Sequence, residues 1–385
     1  MNSAGTSPTY SDTPFLIQAG KYILVIPLIA ISSIICYRKP LTMKQWLIAA
    51  SVMFLIVFSI MKAFGGEKFD FFYIETIFWM TFALSIVWAT DSISIRDIDK
   101  YFLFLLIYGF IATFIEVLLF IFIGRLPALA YEGGVYVRFG SFLDDPNGYA
   151  AILILLLGWA YGRFYGKMRI FVLAGIGISL ILTESFTVFL YLVFLGVIWG
   201  LIQIYKKPIQ VLTVAVIIFF AAILLIRNIP QSTLDILRDL YAAKQLSAHG
   251  HEFPLGKLIT TWPDWSLYGY SKFQVYESGW GSDLVSFGVP LFSIDLALVC
   301  IFVGSIGKAY FRASDRARPL YIGFFLLGLY YLLGSLVFDF AVNFPVNAIF
   351  FLSSFLVVLG KITDEESNAI TESTINHSVH SHYHV

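Results

Sequence analysis

Residues 138–160 read R-F-G-S-F-L-D-D-P-N-G-Y-A-A-I-L-I-L-L-L-G-W-A, a short polar turn set directly against an apolar run. Gly140, Pro146 and Gly148 are turn punctuation rather than helix interior. Pro146 falls where the apolar helix should begin, a position that tolerates it because that N–H would be unpaired anyway. Arg138, Asp144, Asp145 and Asn147 concentrate charge and hydrogen-bonding groups at that helix start. An Arg held at a membrane surface just before a helix is well placed to meet an anion. What it meets depends on which side of the membrane the turn faces.

Composition sets the class. Of 385 residues, 59% are hydrophobic and only 13% charged, with a mean hydropathy of +0.82. Soluble domains carry about 25% charged residues, so the chain reads as an integral membrane protein. Its net charge of zero removes any bulk electrostatic case for nucleic acid. The two cysteines, Cys36 and Cys300, sit in apolar runs and read as small core residues, not as a disulfide or zinc framework.

Apolar runs of bilayer-spanning length recur at 15–36, 45–63, 70–90, 101–124, 146–162, 168–183, 186–205, 209–229, 283–307, 320–339 and 341–360. That predicts an all-α, polytopic helical bundle of about eleven spans, one membrane domain over residues 1–360 and a disordered cytoplasmic tail over 361–385. Pro27 and Pro345 mark plausible kinks or breaks. Fourteen Lys and Arg lie in the loops after the odd-numbered spans, from Arg38 to Arg318. The alternate short loops hold only Lys62, Lys68, Arg125 and Arg138. By the positive-inside rule the first set is cytoplasmic. The N-terminus is then outside, and so are the loops at 125–147 and 228–282.

The second outer loop is the longest. It opens I-R-N-I-P-Q-S-T-L-D-I-L-R-D-L from Ile226, with leucines near helical spacing, and continues S-A-H-G-H-E-F-P-L-G-K from Ser247. It closes Y-E-S-G-W-G-S-D-L-V-S-F-G-V-P-L from Tyr276. Between these lie Trp262, Trp265, Tyr268 and Tyr270. Such rings suit an interfacial belt, and they equally suit stacking on sugar faces or seating a lipid.

Together the two outer stretches resemble the O-antigen polymerase and ligase superfamily of bacterial envelopes. The resemblance rests on Arg138, Gly140, Pro146, Asn147 and Ala150, then on Arg238, Pro254, Leu255, Gly256, Asp283, Gly288 and Leu291. The layout of many spans with one enlarged late outer loop extends it over the whole chain. Members often have an even number of spans and both ends inside, where this sequence reads as eleven. The resemblance implies a C-type glycosyltransferase-like membrane fold with one enlarged periplasmic loop. It implies a donor glycan on undecaprenyl diphosphate, no nucleotide sugar, no cofactor and no metal. Polymerisation of repeat units into O-antigen, capsule or exopolysaccharide is the expected reaction. A ligase, or a flippase or transporter of the same lipid-linked sugar, is the alternative. A chain-length regulator and a flippase of the same pathway would be its partners.

The residue types fit that chemistry on their own terms. A diphosphate leaving group needs cations that tighten as charge develops, and the planar guanidinium fork does this well. Arg138 and Arg238 are the first candidates, with Arg227 in reserve; at a span end Arg227 also suits snorkelling. Histidine has an unperturbed pKa near neutrality, so His249 and His251 suit a general base, with Glu252, Glu277 and Asp283 as carboxylate alternatives. H-G-H-E lacks the spacing of a helical zinc site. Asn147, Trp262 and Trp265 are expected to contact substrate. Glu75, Glu116, Glu184, Asp295 and Asp339 lie within spans in the outer half or near the midplane. Glu116 and Asp295 are read as lining an outward cavity. The Gly175-x-Gly177 pair reads as a helix-packing site, and the His-rich C-terminus as a disordered end.

Overall fold

The computed structural model describes residues 26–29, 31, 42–66, 69–70, 72–123, 130–132, 136–141, 146–183, 185–206, 259–272, 274, 278–336 and 345–364. Over these the chain is mostly helical. Helices α1 (Met43–Phe64), α2 (Phe72–Ala89) and α3 (Ile95–Ile123) come first. Then follow α4 (Pro146–Arg163), α5 (Gly166–Leu182) and α6 (Phe186–Lys206). After them come a single turn α7 (Trp262–Trp265), α8 (Gly279–Arg312), α9 (Arg318–Gly334) and α10 (Val346–Val358). Among the described residues four helices, Gln45–Phe64, Phe72–Ala89, Ile95–Ile123 and Gly279–Arg312, are long and apolar enough to cross a membrane.

Local chemistry sets several helix ends. Thr42 caps α1 reciprocally with Gln45, its Oγ1 accepting the Gln45 N–H while Gln45 Oε1 accepts the Thr42 N–H. α3 starts at Ile95, earlier than the apolar run predicts. Ser94 Oγ accepts the Asp97 N–H at 3.2 Å and donates to Asp97 Oδ2 at 2.9 Å. That cap makes the charged turn after Ser94 helical although it is not apolar. α4 begins at Pro146, as its sequence requires.

α4 is the buried centre of the bundle, with residues of every face in the core. It crosses α9 with backbones nearly touching. A Cβ on Gly158 would lie 2.9 Å from Gly323 Cα, and one on Gly323 would meet Leu155 O at 2.7 Å. Gly175 likewise accommodates the Phe110 ring, whereas a Cβ on Gly177 would meet only open space. A second focus joins α8, α9 and α10, where Tyr331 stacks on Phe350 with centroids 4.2 Å apart. Cys300 is exposed on α8, not in the core as the sequence suggested.

The two ends of the bundle differ. At one end Gln45 Nε2 reaches Leu359 O, and Lys361 Nζ donates to Thr90 O at 2.7 Å. There β1 (Ile93–Ser94) pairs in parallel with β4 (Ile362–Thr363). Arg163 meets Asp99, and Ser314 donates to Asp364. These segments are the Lys- and Arg-rich loops. At the opposite end, Phe139 N–H reaches Leu182 O, Ser185 reaches Asn147, and Trp280 N–H reaches Ser335 O. The charge-poor loops meet there.

Candidate functional site

The charge-poor end carries the described residues of both stretches singled out by sequence. In the first, β2 (Ala130–Glu132) and β3 (Tyr136–Arg138) form an antiparallel hairpin that pairs Arg138 with Ala130. Ser141 follows in the left-handed region, φ 55, where a non-glycine residue is uncommon. Glu116 on α3 holds it. The Ser141 N–H donates to Glu116 Oε2 at 2.8 Å, and Ser141 Oγ reaches Gly109 O at 3.5 Å. Nearby, Thr113 Oγ1 donates to the Tyr149 hydroxyl at 2.9 Å and Ser185 Oγ donates to Asn147 Oδ1 at 2.7 Å. This buried polar network ties the turn before α4 to α3 and to the segment between α5 and α6.

The second stretch docks by a break in a helix. α8 is interrupted at Gly288, with φ 78 and ψ 167, a conformation essentially restricted to glycine. The break releases backbone groups that the loop carrying α7 satisfies. Tyr270 N–H donates to Val285 O at 3.0 Å, and Val289 N–H donates to Ser266 O at 2.8 Å. Space is as tight as hydrogen bonding: a Cβ on Gly269 would sit 2.0 Å from Ser286 O. Lys62, at the end of α1, donates from Nζ to the carbonyls of Tyr268, Gly269 and Tyr270 at 2.8, 3.3 and 2.6 Å. Three acceptors match the three N–H bonds of an ammonium. The Tyr73 hydroxyl on α2 adds a 2.6 Å bond to Tyr270 O.

The same bend brings two carboxylates to one void. Asp283 lies before the break and Asp295 after it, yet both line a cavity of about 20 Å³ with Ser59, Tyr331 and Phe351. That is room for roughly one water molecule. Asp283 is 4% exposed and Ser59 1% exposed, and Ser59 Oγ has no hydrogen-bond partner there. Intramembrane carboxylates around such a void mark proton, ion or substrate sites.

Sequence-derived candidates therefore separate into groups. Arg138 and Asn147 sit at the charge-poor end, Arg138 on the hairpin and Asn147 buried in the first turn of α4. Asp283 and Asp295 converge on the void. Glu116, 1% exposed, anchors the Ser141 turn by accepting the Ser141 N–H. Trp265 is 3% exposed and packs with Val285, so its face is not open to a sugar. Trp262, 50% exposed and edge-to-face on Trp265 with centroids 4.9 Å apart, keeps a face available. Arg227, Arg238, His249, His251, Glu252 and Glu277 lie outside the described residues, as do Glu184, Asp339, the 209–229 span and the His-rich tail. Lys62, Tyr73 and Ser59 were missed by sequence reasoning. Lys62 counted only as a loop charge, and nothing in its local sequence indicates three carbonyl partners contributed by residues two hundred positions away.

Comparison of the chain with protein-family models, with characterised proteins and with solved structures returned no match in any of the three.

Proposed function

We propose that the chain is a polytopic inner-membrane polymerase of about eleven spans, with its N-terminus outside. It joins undecaprenyl-diphosphate-linked oligosaccharide repeat units on the outer face of the membrane. One observation carries the reading. The described residues of the two stretches with the polymerase-like residues, 138–141 with 146–150 and 278–291, lie at the same end of the bundle, opposite the Lys- and Arg-rich loops.

In this reading the acceptor hydroxyl oxygen bonds to the anomeric carbon of the donor glycan. The bond from that carbon to the diphosphate oxygen breaks, and undecaprenyl diphosphate leaves. Arg138 and Arg238 hold the leaving diphosphate as its charge develops, a contribution of about 10²–10³ in rate for each such donor. His249 or His251, or one of Glu252, Glu277 and Asp283, takes the hydroxyl proton. Arg227 and Trp262 border the glycan path.

The test is product mass. Purified full-length protein in detergent, given a lipid-linked repeat unit and no nucleotide sugar, should yield a ladder spaced by the repeat-unit mass and release undecaprenyl diphosphate. A single addition onto a non-repeat acceptor identifies a ligase. The Gly288 break, with Asp283 and Asp295 on one void, favours a second reading, because transporters build ion and substrate sites at interrupted helices. Unchanged substrate mass together with gradient-driven movement in liposomes would replace the polymerase by that transporter.

A further inference from the structure

A second, larger cavity lies at the other end. It encloses about 610 Å³ between α3, α4 and α9, the size range of a ligand pocket. Arg96, Lys100, Arg163 and Arg316 line it, against the two carboxylates Asp99 and Asp315. The lining is therefore net cationic in a chain whose net charge is zero. Asp99 organises its floor: Oδ1 accepts the Trp159 indole N–H at 2.7 Å, and Oδ2 meets Arg163 Nε at 3.3 Å. This ties the guanidinium of Arg163, at the end of the buried helix α4, to α3.

The walls are not those of a site for a small soluble anion. Leu103, Phe164 and Tyr165 line the same cavity. From Leu103 an apolar stripe continues along the exposed face of α3 through Ile107 and Ile111, which are 49% and 54% exposed. Positions four apart stack one above another on a helix, so the stripe runs about 12 Å toward the bilayer midplane. A cationic pocket opening onto an apolar helix face suits a molecule with a phosphate head and an acyl tail. Basic pockets between helices on the cytoplasmic side take such head groups.

We propose that this pocket binds an anionic phospholipid of the cytoplasmic leaflet, with its phosphate among Arg96, Arg163 and Arg316 and one acyl chain on Leu103, Ile107 and Ile111. The inference rests on this end facing the cytoplasm. It does not depend on glycan transfer, and the ladder assay and the lipid assay fail independently.

Native mass spectrometry of the full-length protein, stripped of lipid and offered phosphatidylglycerol and phosphatidylcholine together, provides the test. Wild type should retain phosphatidylglycerol selectively. Arg96→Gln with Arg316→Gln, both at exposed positions, should weaken that retention by about thirtyfold. Lys308→Gln with Arg312→Gln, at the same end but outside the pocket lining, should retain it like wild type. Equal retention of both lipids by wild type overturns the site whatever the variants do. So does equal phosphatidylglycerol retention by wild type and the Arg96/Arg316 variant. Displacement of the lipid by inorganic phosphate alone would overturn the lipid and assign the pocket to a soluble phosphate compound.

Discussion

The ring of Trp280 lies edge-to-face against that of Phe292, with centroids 5.9 Å apart. In an unbroken helix their Cα atoms would be about 18 Å apart along the axis. The contact exists because α8 turns back at Gly288, and the same turn puts Asp283 and Asp295 on one void. The expectations below follow from that bend, from the Glu116 anchor and from the arrangement of the two ends.

Gly288→Ala should cost about 1–3 kcal/mol through backbone strain. The new Cβ would also press on Leu267 O, 2.7 Å away. Thermal melting in detergent should fall by several degrees, and activity should be lost with it. Gly304→Ala is the control, because a Cβ there meets nothing within 4 Å. Identical melting of the two variants would show that the break tolerates a side chain.

Glu116→Ala removes the acceptor of the buried Ser141 N–H and should destabilise by about 1–3 kcal/mol. Glu116→Gln keeps an acceptor oxygen and should lose much less. Limited proteolysis between residues 130 and 146 measures the effect locally, with faster cleavage expected for Ala than for Gln. Equal cleavage of wild type and Glu116→Ala would mean that the carboxylate does not hold the turn.

Arg138→Ala and Arg238→Ala should each reduce polymer about 10²-fold or more while the protein stays inserted and abundant. Lys at either position should restore only part of it, because a point charge lacks the two-pronged donor geometry. Polymer at wild-type level in both Ala variants would remove these residues from the site.

Orientation is testable by labelling. With Cys36 and Cys300 replaced, Lys272→Cys should react with a membrane-impermeant thiol reagent in intact cells, and Ser314→Cys should not. Both positions are exposed, at opposite ends of the bundle. The reverse pattern would put the charge-poor end in the cytoplasm and end the proposal of a periplasmic transferase.

Much of the bundle was legible along the chain. Among the described residues each apolar run from 45 to 205 and from 320 to 360 corresponds to one helix, and 283–307 falls on the broken helix α8. A helix that buries its backbone polar groups internally in an apolar medium needs only a long apolar sequence to declare itself. Pro146 marked the start of α4 for an equally local reason. Among the described residues, loops sorted by Lys and Arg also fall at the two ends that the structure separates, because successive helices reverse direction.

What each buried polar group faces was decided only by tertiary structure. Nothing in the sequence around Glu116 indicates that its carboxylate accepts the N–H of Ser141, 25 positions further on. Sequence placed 283–307 in one span, and Gly288 breaks the helix there, where the loop carrying α7 occupies the freed backbone groups. Lys62 and Tyr73 acquired their roles from carbonyls about two hundred residues distant. Hydropathy and helix signals are properties of neighbouring residues, so a single chain displays them. Hydrogen bonds and voids between helices belong to pairs of surfaces, and they exist only once packing has chosen which surfaces meet.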